Sequence, residues 1–146
     1  MEKRDYKIQL NPKQYEAVIQ PPGPLLIFAG AGSGKTRVLT YRIAYMIEYL
    51  GINPYNILAV TFTNKAAREM RERLEILLKS EYLPLLVSTF HSFGARILRE
   101  HYPAVSYKQN FSIYDDSESL TVIKNICKDF HLCEGDLMPK SVQNAI

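Results

Sequence analysis

The apolar positions of this chain fall into two kinds of run. Short unbroken runs read as strands buried on both faces: Leu25-Leu26-Ile27-Phe28, Ile57-Leu58-Ala59-Val60-Thr61-Phe62 and Leu85-Leu86-Val87-Ser88-Thr89. Between them, apolar residues recur at helical spacing. Val38, Leu39, Ile43 and Ile47 mark a helix that begins near Lys35, a second runs from about Asn64 to Lys79 behind a Thr63 cap, and a third from about Ser92 to His101. The Tyr41, Tyr45, Tyr49 stripe has the same spacing and reads as packing.

The polar punctuation agrees with these boundaries. Asn11 and Pro12 suit the cap and first position of a short helix through Ile19, which Gln20-Pro21-Pro22-Gly23-Pro24 then stops. Gly51-Ile52-Asn53-Pro54 is a turn, and Tyr82-Leu83-Pro84 breaks the chain before the third strand. Beyond residue 110 the pattern is helical only. Asp115 and Glu118 have capping-box spacing at the head of a helix to about Phe130, and Met138-Pro139-Lys140-Ser141 starts a further element.

Alternating short strands and helices predict an α/β fold, a parallel sheet flanked by helices. Such sheets bind ligands at the carboxyl ends of their strands. Three segments are expected there: Ala29–Thr36, Thr61–Asn64 and Thr89–Ser92.

The first of these carries the clearest chemistry. Ala29-Gly30-Ala31-Gly32-Ser33-Gly34-Lys35-Thr36 follows an apolar run and enters a helix, the context of a phosphate-binding loop. Its glycines let backbone N–H groups turn inward around phosphates. Lys35 can reach the β- and γ-phosphates, the Thr36 hydroxyl can ligate Mg²⁺, and the helix start adds a positive dipole end. The strict form of the motif has Gly where this chain has Ala29. Gln14, shortly upstream, is either an ordinary surface glutamine or a carboxamide that reads the edge of adenine. Thr61-Phe62-Thr63-Asn64 and Thr89-Phe90-His91-Ser92 place hydroxyls and amides for phosphates beside aromatics for base stacking, while Phe90 and Phe93 fit a core role equally well.

Composition narrows the classes. At 146 residues and 47% hydrophobic, the chain is one packed domain or part of one. Residues 1–109 hold 15 basic and 9 acidic residues, a net +6, whereas residues 110–146 are at −3. The basic part contains the phosphate loop, which suits polyanions, although Glu69 with Arg73 and Glu75 with Lys79 could simply pair along a helix. Cys127 and Cys133 lack the spacing and partners of a zinc site, His131 alone being insufficient, and read as free thiols. No signal peptide and no membrane-length apolar run is present, so a cytoplasmic protein is expected.

Four segments in order resemble superfamily 1 DNA helicases of the UvrD/Rep/PcrA type. Leu10-Asn11-Pro12-Lys13-Gln14 is similar to the family's adenine-reading Q motif, and Ala29–Thr36 with Arg37 to motif I, where Ala at the first position is usual. Ala59–Met70 is similar to motif Ia, and Val87–Ser92 to motif Ib. The resemblance covers about residues 8–130. It implies a RecA-like P-loop sheet, incomplete here, with residues 1–109 the N-terminal part of motor domain 1A and residues 110–146 the start of a helical 1B insertion. It also implies ATP and Mg²⁺ as cofactors. Gln14, residues 29–36 and Arg37 would lie on the nucleotide, with Thr61, Phe62, Asn64, Thr89 and His91 on single-stranded DNA. Partners would be single-stranded DNA, duplex junctions and the remaining helicase domains, with 3′→5′ movement.

No Asp-Glu pair follows an apolar strand, so Walker B carboxylates are missing, and Asp115-Asp116 opens a helix instead. The expectation is an N-terminal piece that hydrolyses ATP negligibly by itself, with further strands of its sheet coming from later sequence. A small P-loop kinase or GTPase would need its own Mg²⁺ carboxylate within this length. A non-enzymatic single-strand binding module would leave Gly34-Lys35-Thr36 unused.

Overall fold

The computed structural model describes residues 5–80, 83–132 and 138–146. Cys133 and Tyr82 lie outside them, as does most of the N-terminal segment that lacks a signal pattern. The chain forms two compact units, one ending at Ile97 and the other running from Leu98 to Ile146.

The first unit begins with α1 (Tyr6–Gln9) and α2 (Pro12–Ile19). The expected start of α2 is built in full. The Asn11 carboxamide accepts from the Gln14 N–H at 2.8 Å, and Gln14 Oε1 accepts from the Asn11 N–H at 3.2 Å. This reciprocal box satisfies two donors that a helix start otherwise leaves open. Helix α3 (Lys35–Glu48) follows the glycine loop, and α1 and α2 are both tied to it. Tyr6 stands edge-on to Tyr41, Tyr45 and Tyr49 with ring centroids 5.6–5.9 Å apart, and its hydroxyl donates to Glu48 at 2.7 Å. The tyrosine stripe is therefore packing, as its spacing suggests.

Strands β1 (Leu58–Thr61) and β2 (Leu86–Thr89) pair in parallel with Thr61 opposite Thr89, joined by α4 (Asn64–Leu78). The Thr63 hydroxyl caps α4 by accepting from the Ala66 N–H at 3.1 Å. Met70, Leu74 and Leu78, four residues apart, form its buried stripe against a core that includes Leu85, Val87, Val38 and Val18.

Two boundaries differ from expectation. Helix α5 (Phe90–Glu100) starts at Phe90, directly after β2, because the Thr89 hydroxyl accepts from the Ser92 N–H at 3.2 Å and serves as its cap. The larger difference is Leu25–Phe28. The expected first strand forms no regular element and pairs with nothing among the described residues, and its side chains are exposed, Phe28 at 90%. An unbroken apolar run suits a parallel strand covered on both faces. Among the described residues there are only two strands, and they use one another, so neither cover nor ladder reaches this segment.

In the second unit, α6 (Asp116–Asp129) carries the expected capping box, and Cys127 is buried on it. Helix α7 (Pro139–Ala145) is tied to the start of α6 by Gln143 Nε2, which donates to the Asp116 carbonyl at 2.7 Å. Arg99 lies over the Phe111 ring at 5.4 Å. No described helix is long and apolar enough to cross a membrane.

The Asp115 carboxylate accepts from the Glu118 N–H and then from the Ser117 hydroxyl and N–H, and these donors hold its pKa below the ordinary carboxylate value. A depressed folded pKa contributes stability above the unfolded value that is lost as pH falls through the folded one. The first turn of α6 is thus expected to stay protected as ordinary carboxylates titrate, near pH 4, and to fray only at lower pH. Exchange of the Ser117 and Glu118 amides followed by NMR checks this, and fraying in step with ordinary carboxylates would count against it.

Candidate nucleotide-binding site

A cleft of about 520 Å³ opens between α2, the 25–33 segment and α3. Its volume falls in the range of small-molecule sites. Asn11, Lys13, Gln14 and Ala17 form one wall, Leu25, Ile27 to Gly30 and Ser33 the floor, and Lys35, Val38 and Leu39 the other wall. Its charged lining residues are both lysines, and none of the lining residues is acidic. Such a lining favours an anionic ligand.

The loop holds its own shape. The Ser33 hydroxyl donates to the Gly30 carbonyl at 2.8 Å, and the Ser33 N–H reaches the same carbonyl at 3.4 Å. Lys35 Nζ donates to the carbonyls of Ala29 at 3.1 Å and Gly30 at 2.8 Å, using two of an ammonium's three protons. No side chain caps the N-terminus of α3, so its first N–H groups and the positive dipole end stay available. Gly34 is left-handed, with φ of 87°, and a Cβ there would lie 2.7 Å from Gln14 Nε2. The positive φ strains any L side chain here, and an added Cβ would also push the Gln14 carboxamide aside.

Gln14 is more engaged than a surface glutamine. Besides its bond to Asn11, its Nε2 donates to the Ser33 carbonyl at 3.0 Å. The Q-motif helix is therefore tied directly to the glycine loop. Ala29, Gly30, Ser33 and Lys35 line the cleft with Gln14, whereas Ala31, Gly32, Gly34 and Thr36 do not. Arg37 points elsewhere: its guanidinium donates to the Gln9 carbonyl at 2.6 Å and lies over the Tyr41 ring at 5.3 Å. Thr36 follows Lys35 in the first turn of α3, and its carbonyl accepts from the Thr40 hydroxyl at 3.1 Å. An uncapped helix start, a lysine with a proton to give and a lining without carboxylates fit a magnesium-bound polyphosphate. No carboxylate for the metal lines the cleft.

The expected DNA-facing residues divide. The register puts the ends of β1 and β2 level, and beyond them Phe62 is 88% exposed, with Asn64 and His91 also on the surface. Thr61 is half-buried, and its hydroxyl donates to the Thr63 carbonyl at 3.0 Å. Thr89 does not meet the expectation of an exposed hydroxyl. It is 5% exposed and spent on Ser92, because a helix starts immediately after its strand. Phe90, by contrast, is on the surface. The glycine loop is not joined to this strand end, since the segment before it is unpaired.

A family model for the UvrD/REP helicase N-terminal domain matches residues 10–146. The chain belongs to the UvrD/REP helicase family. It is 51% identical over 137 residues to the ATP-dependent DNA helicase PcrA of Bacillus subtilis strain 168, covering 94% of this chain and 18% of that protein. It is also 47% identical to the PcrA of Staphylococcus aureus strain Mu50, over 94% of this chain and 19% of that protein, and 49% identical to that of Leuconostoc citreum, over 94% and 18%. The chain thus spans about one fifth of the length of these relatives.

One residue that braces the cleft from outside carries no signal in the sequence of this UvrD/REP family member. Arg42 bonds three carbonyls around the end of α2, yet an arginine inside an amphipathic helix looks like any solvated cation. The contact at Gly34 has a direct consequence. Gly34→Ala should cost about 1–2 kcal/mol from left-handed strain, plus the displacement of Gln14. In a Gln14→Ala background only the strain should remain. Urea unfolding of the two single variants and the double variant measures the coupling. Equal costs of Gly34→Ala in both backgrounds would reject the contact.

Proposed function

We propose that this chain is the ATP-binding N-terminal part of an ATP-dependent DNA helicase that moves 3′→5′ along single-stranded DNA. The observation that carries the reading is the lysine-lined cleft, in which the Q-motif helix and the glycine loop are joined by the Gln14–Ser33 bond. On this reading residues 1–109 belong to motor domain 1A, a RecA-like P-loop domain, and residues 110–146 open the 1B insertion. The relatives' names, all of ATP-dependent DNA helicases, support it. No feature of the cleft favours a kinase or GTPase, and a single-strand binding module would have no use for it.

Each residue then has a task. Lys35 leaves its two loop carbonyls and neutralises the β- and γ-phosphate oxygens, a short swing that exchanges weak partners for charged ones. The loop and α3 amides hold the remaining oxygens. Thr36 would ligate Mg²⁺, which when bound supplies further charge neutralisation on the phosphates. Gln14 reads the base from α2. Phe62 stacks on a DNA base, flanked by Asn64, His91 and Thr61, and Thr89 contributes by fixing the start of α5. Phosphoryl transfer further needs carboxylates and arginines that stabilise the transition state. Translocation needs a second domain to close against. Both would come from the rest of the helicase, so residues 1–146 alone should turn ATP over negligibly. Soluble, cytoplasmic work on single-stranded DNA and duplex junctions completes the reading.

Two substitutions in the full-length helicase test separate halves. Lys35→Ala should abolish DNA-stimulated ATP hydrolysis, and near-normal turnover would sink the nucleotide assignment. Phe62→Ala should weaken single-strand binding by about 1–3 kcal/mol while nucleotide affinity without DNA stays unchanged. An equal loss of both affinities would show that Phe62 supports the fold.

A further inference from the structure

Arg42 lies two turns along α3 from Lys35 and lines no part of the cleft. Its Nη1 donates to the Val18 carbonyl at 2.8 Å and also to the Gln20 carbonyl, while its Nη2 donates to the Pro21 carbonyl at 3.1 Å. Val18 belongs to the last turn of α2 and Gln20 is its C-cap. These are carbonyls that a helix end leaves without backbone partners, at the negative end of its dipole. A planar guanidinium can serve three acceptors at once, whereas a lysine offers one point of charge.

The consequence concerns the shape of the cleft. Helix α2 has eight residues and is too short to be stable without tertiary support. It carries Lys13, Gln14 and Ala17, one whole wall of the cleft, and α3 carries the opposite wall. Two polar ties hold the α2 wall, one to the floor and one to α3. The Gln14–Ser33 bond holds the front of α2, and the Arg42 fork holds its rear. Without the rear tie the rear of the helix is left to the packing of Val18, which has no say over the carbonyls beyond it. The glycine loop leads directly into α3, and of the two ties it is the front one that reaches it, at the Ser33 carbonyl.

We propose that Arg42 is a positioning residue for base recognition: it fixes α2 so that the nucleoside wall is preformed, and leaves the phosphate half untouched. This rests on the reading of the cleft as an ATP site. The test uses the full-length helicase with Arg42→Met and Arg42→Lys, and Gln14→Ala in parallel. Three quantities are measured: KM and kcat for ATP and for GTP, inhibition by inorganic tripolyphosphate as a probe of the phosphate half alone, and thermal unfolding. A small misplacement of a binding wall can cost up to about 100-fold. Both Arg42 variants should lower the preference for ATP over GTP, Arg42→Met by roughly 10-fold or more, through KM. Tripolyphosphate inhibition should be unchanged.

An unchanged preference in the Arg42 variants overturns the proposal. So does a parallel weakening of ATP and tripolyphosphate, which marks general damage to α3. Should Arg42→Met fail to fold, Arg42→Lys decides by the same ratio, since it keeps the charge at the helix end. If Gln14→Ala shifts the preference and the Arg42 variants do not, Arg42 is structural only. If the Arg42 variants shift it and Gln14→Ala does not, α2 is positioned as proposed and base reading passes to another of its residues.

Discussion

The seating of α2 on α3 is the constraint on which the rest of the first unit depends. Val18 on α2 and Ala44 on α3 are both completely buried, and the core that contains them continues through Val38 to Leu74 on α4 and Val87 on β2. Helix α3 therefore has two jobs. Its N-terminus follows the glycine loop without a side-chain cap, while its length packs against α1, α2 and α4. A helix with an uncapped start forgoes about 1 kcal/mol of local stability. Here the loss is offset by packing along the following turns, so the free N–H groups are sustained by the core and not by local sequence.

The same logic explains the loop without a ligand. Lys35 lies on two carbonyls of its own loop, and Ser33 closes on Gly30. These bonds keep polar groups satisfied in a partly shielded cleft, yet each is weak enough to be exchanged for a phosphate oxygen. Gln14 shows the opposite balance. Its carboxamide is used at both ends, by the α2 cap and by Ser33. Any new partner for this carboxamide must displace a bond within α2 or one to the loop, so under the proposed function base reading would be coupled to the geometry of both.

What could be read in the sequence was what local chemistry determines. The caps at Asn11, Thr63 and Asp115 lie within three residues of their partners, and each formed as the spacing indicated. The glycine loop was legible because Gly34, Lys35 and Thr36 state their own chemistry. The tyrosine stripe was legible from period alone. Helix α1 was not, since four residues are too few to show a period. The burial of Thr89 was not legible, because a hydroxyl at the end of a strand can either face outward or cap the next helix, and the immediate start of α5 decides between them. Arg42 was illegible for a further reason: its partners lie 21 to 24 residues away, and its function depends on how two helices meet.

The unpaired Leu25–Phe28 segment follows from the same distinction between local and distant causes. Its composition specifies a strand, but a strand exists only when neighbours complete its hydrogen bonds, and no composition can supply them. The two strands present form a parallel pair covered by α4, a minimal sheet whose stability comes from that cover more than from the ladder. Adding Leu25–Phe28 would require a strand on which it could pair and helices for its second face. Within the proposed helicase these belong to later parts of the chain. Taken alone, residues 25–28 present an apolar edge of the kind that drives association between molecules. The glycine loop begins where this segment ends, so completing the sheet would also fix the loop's approach to α3.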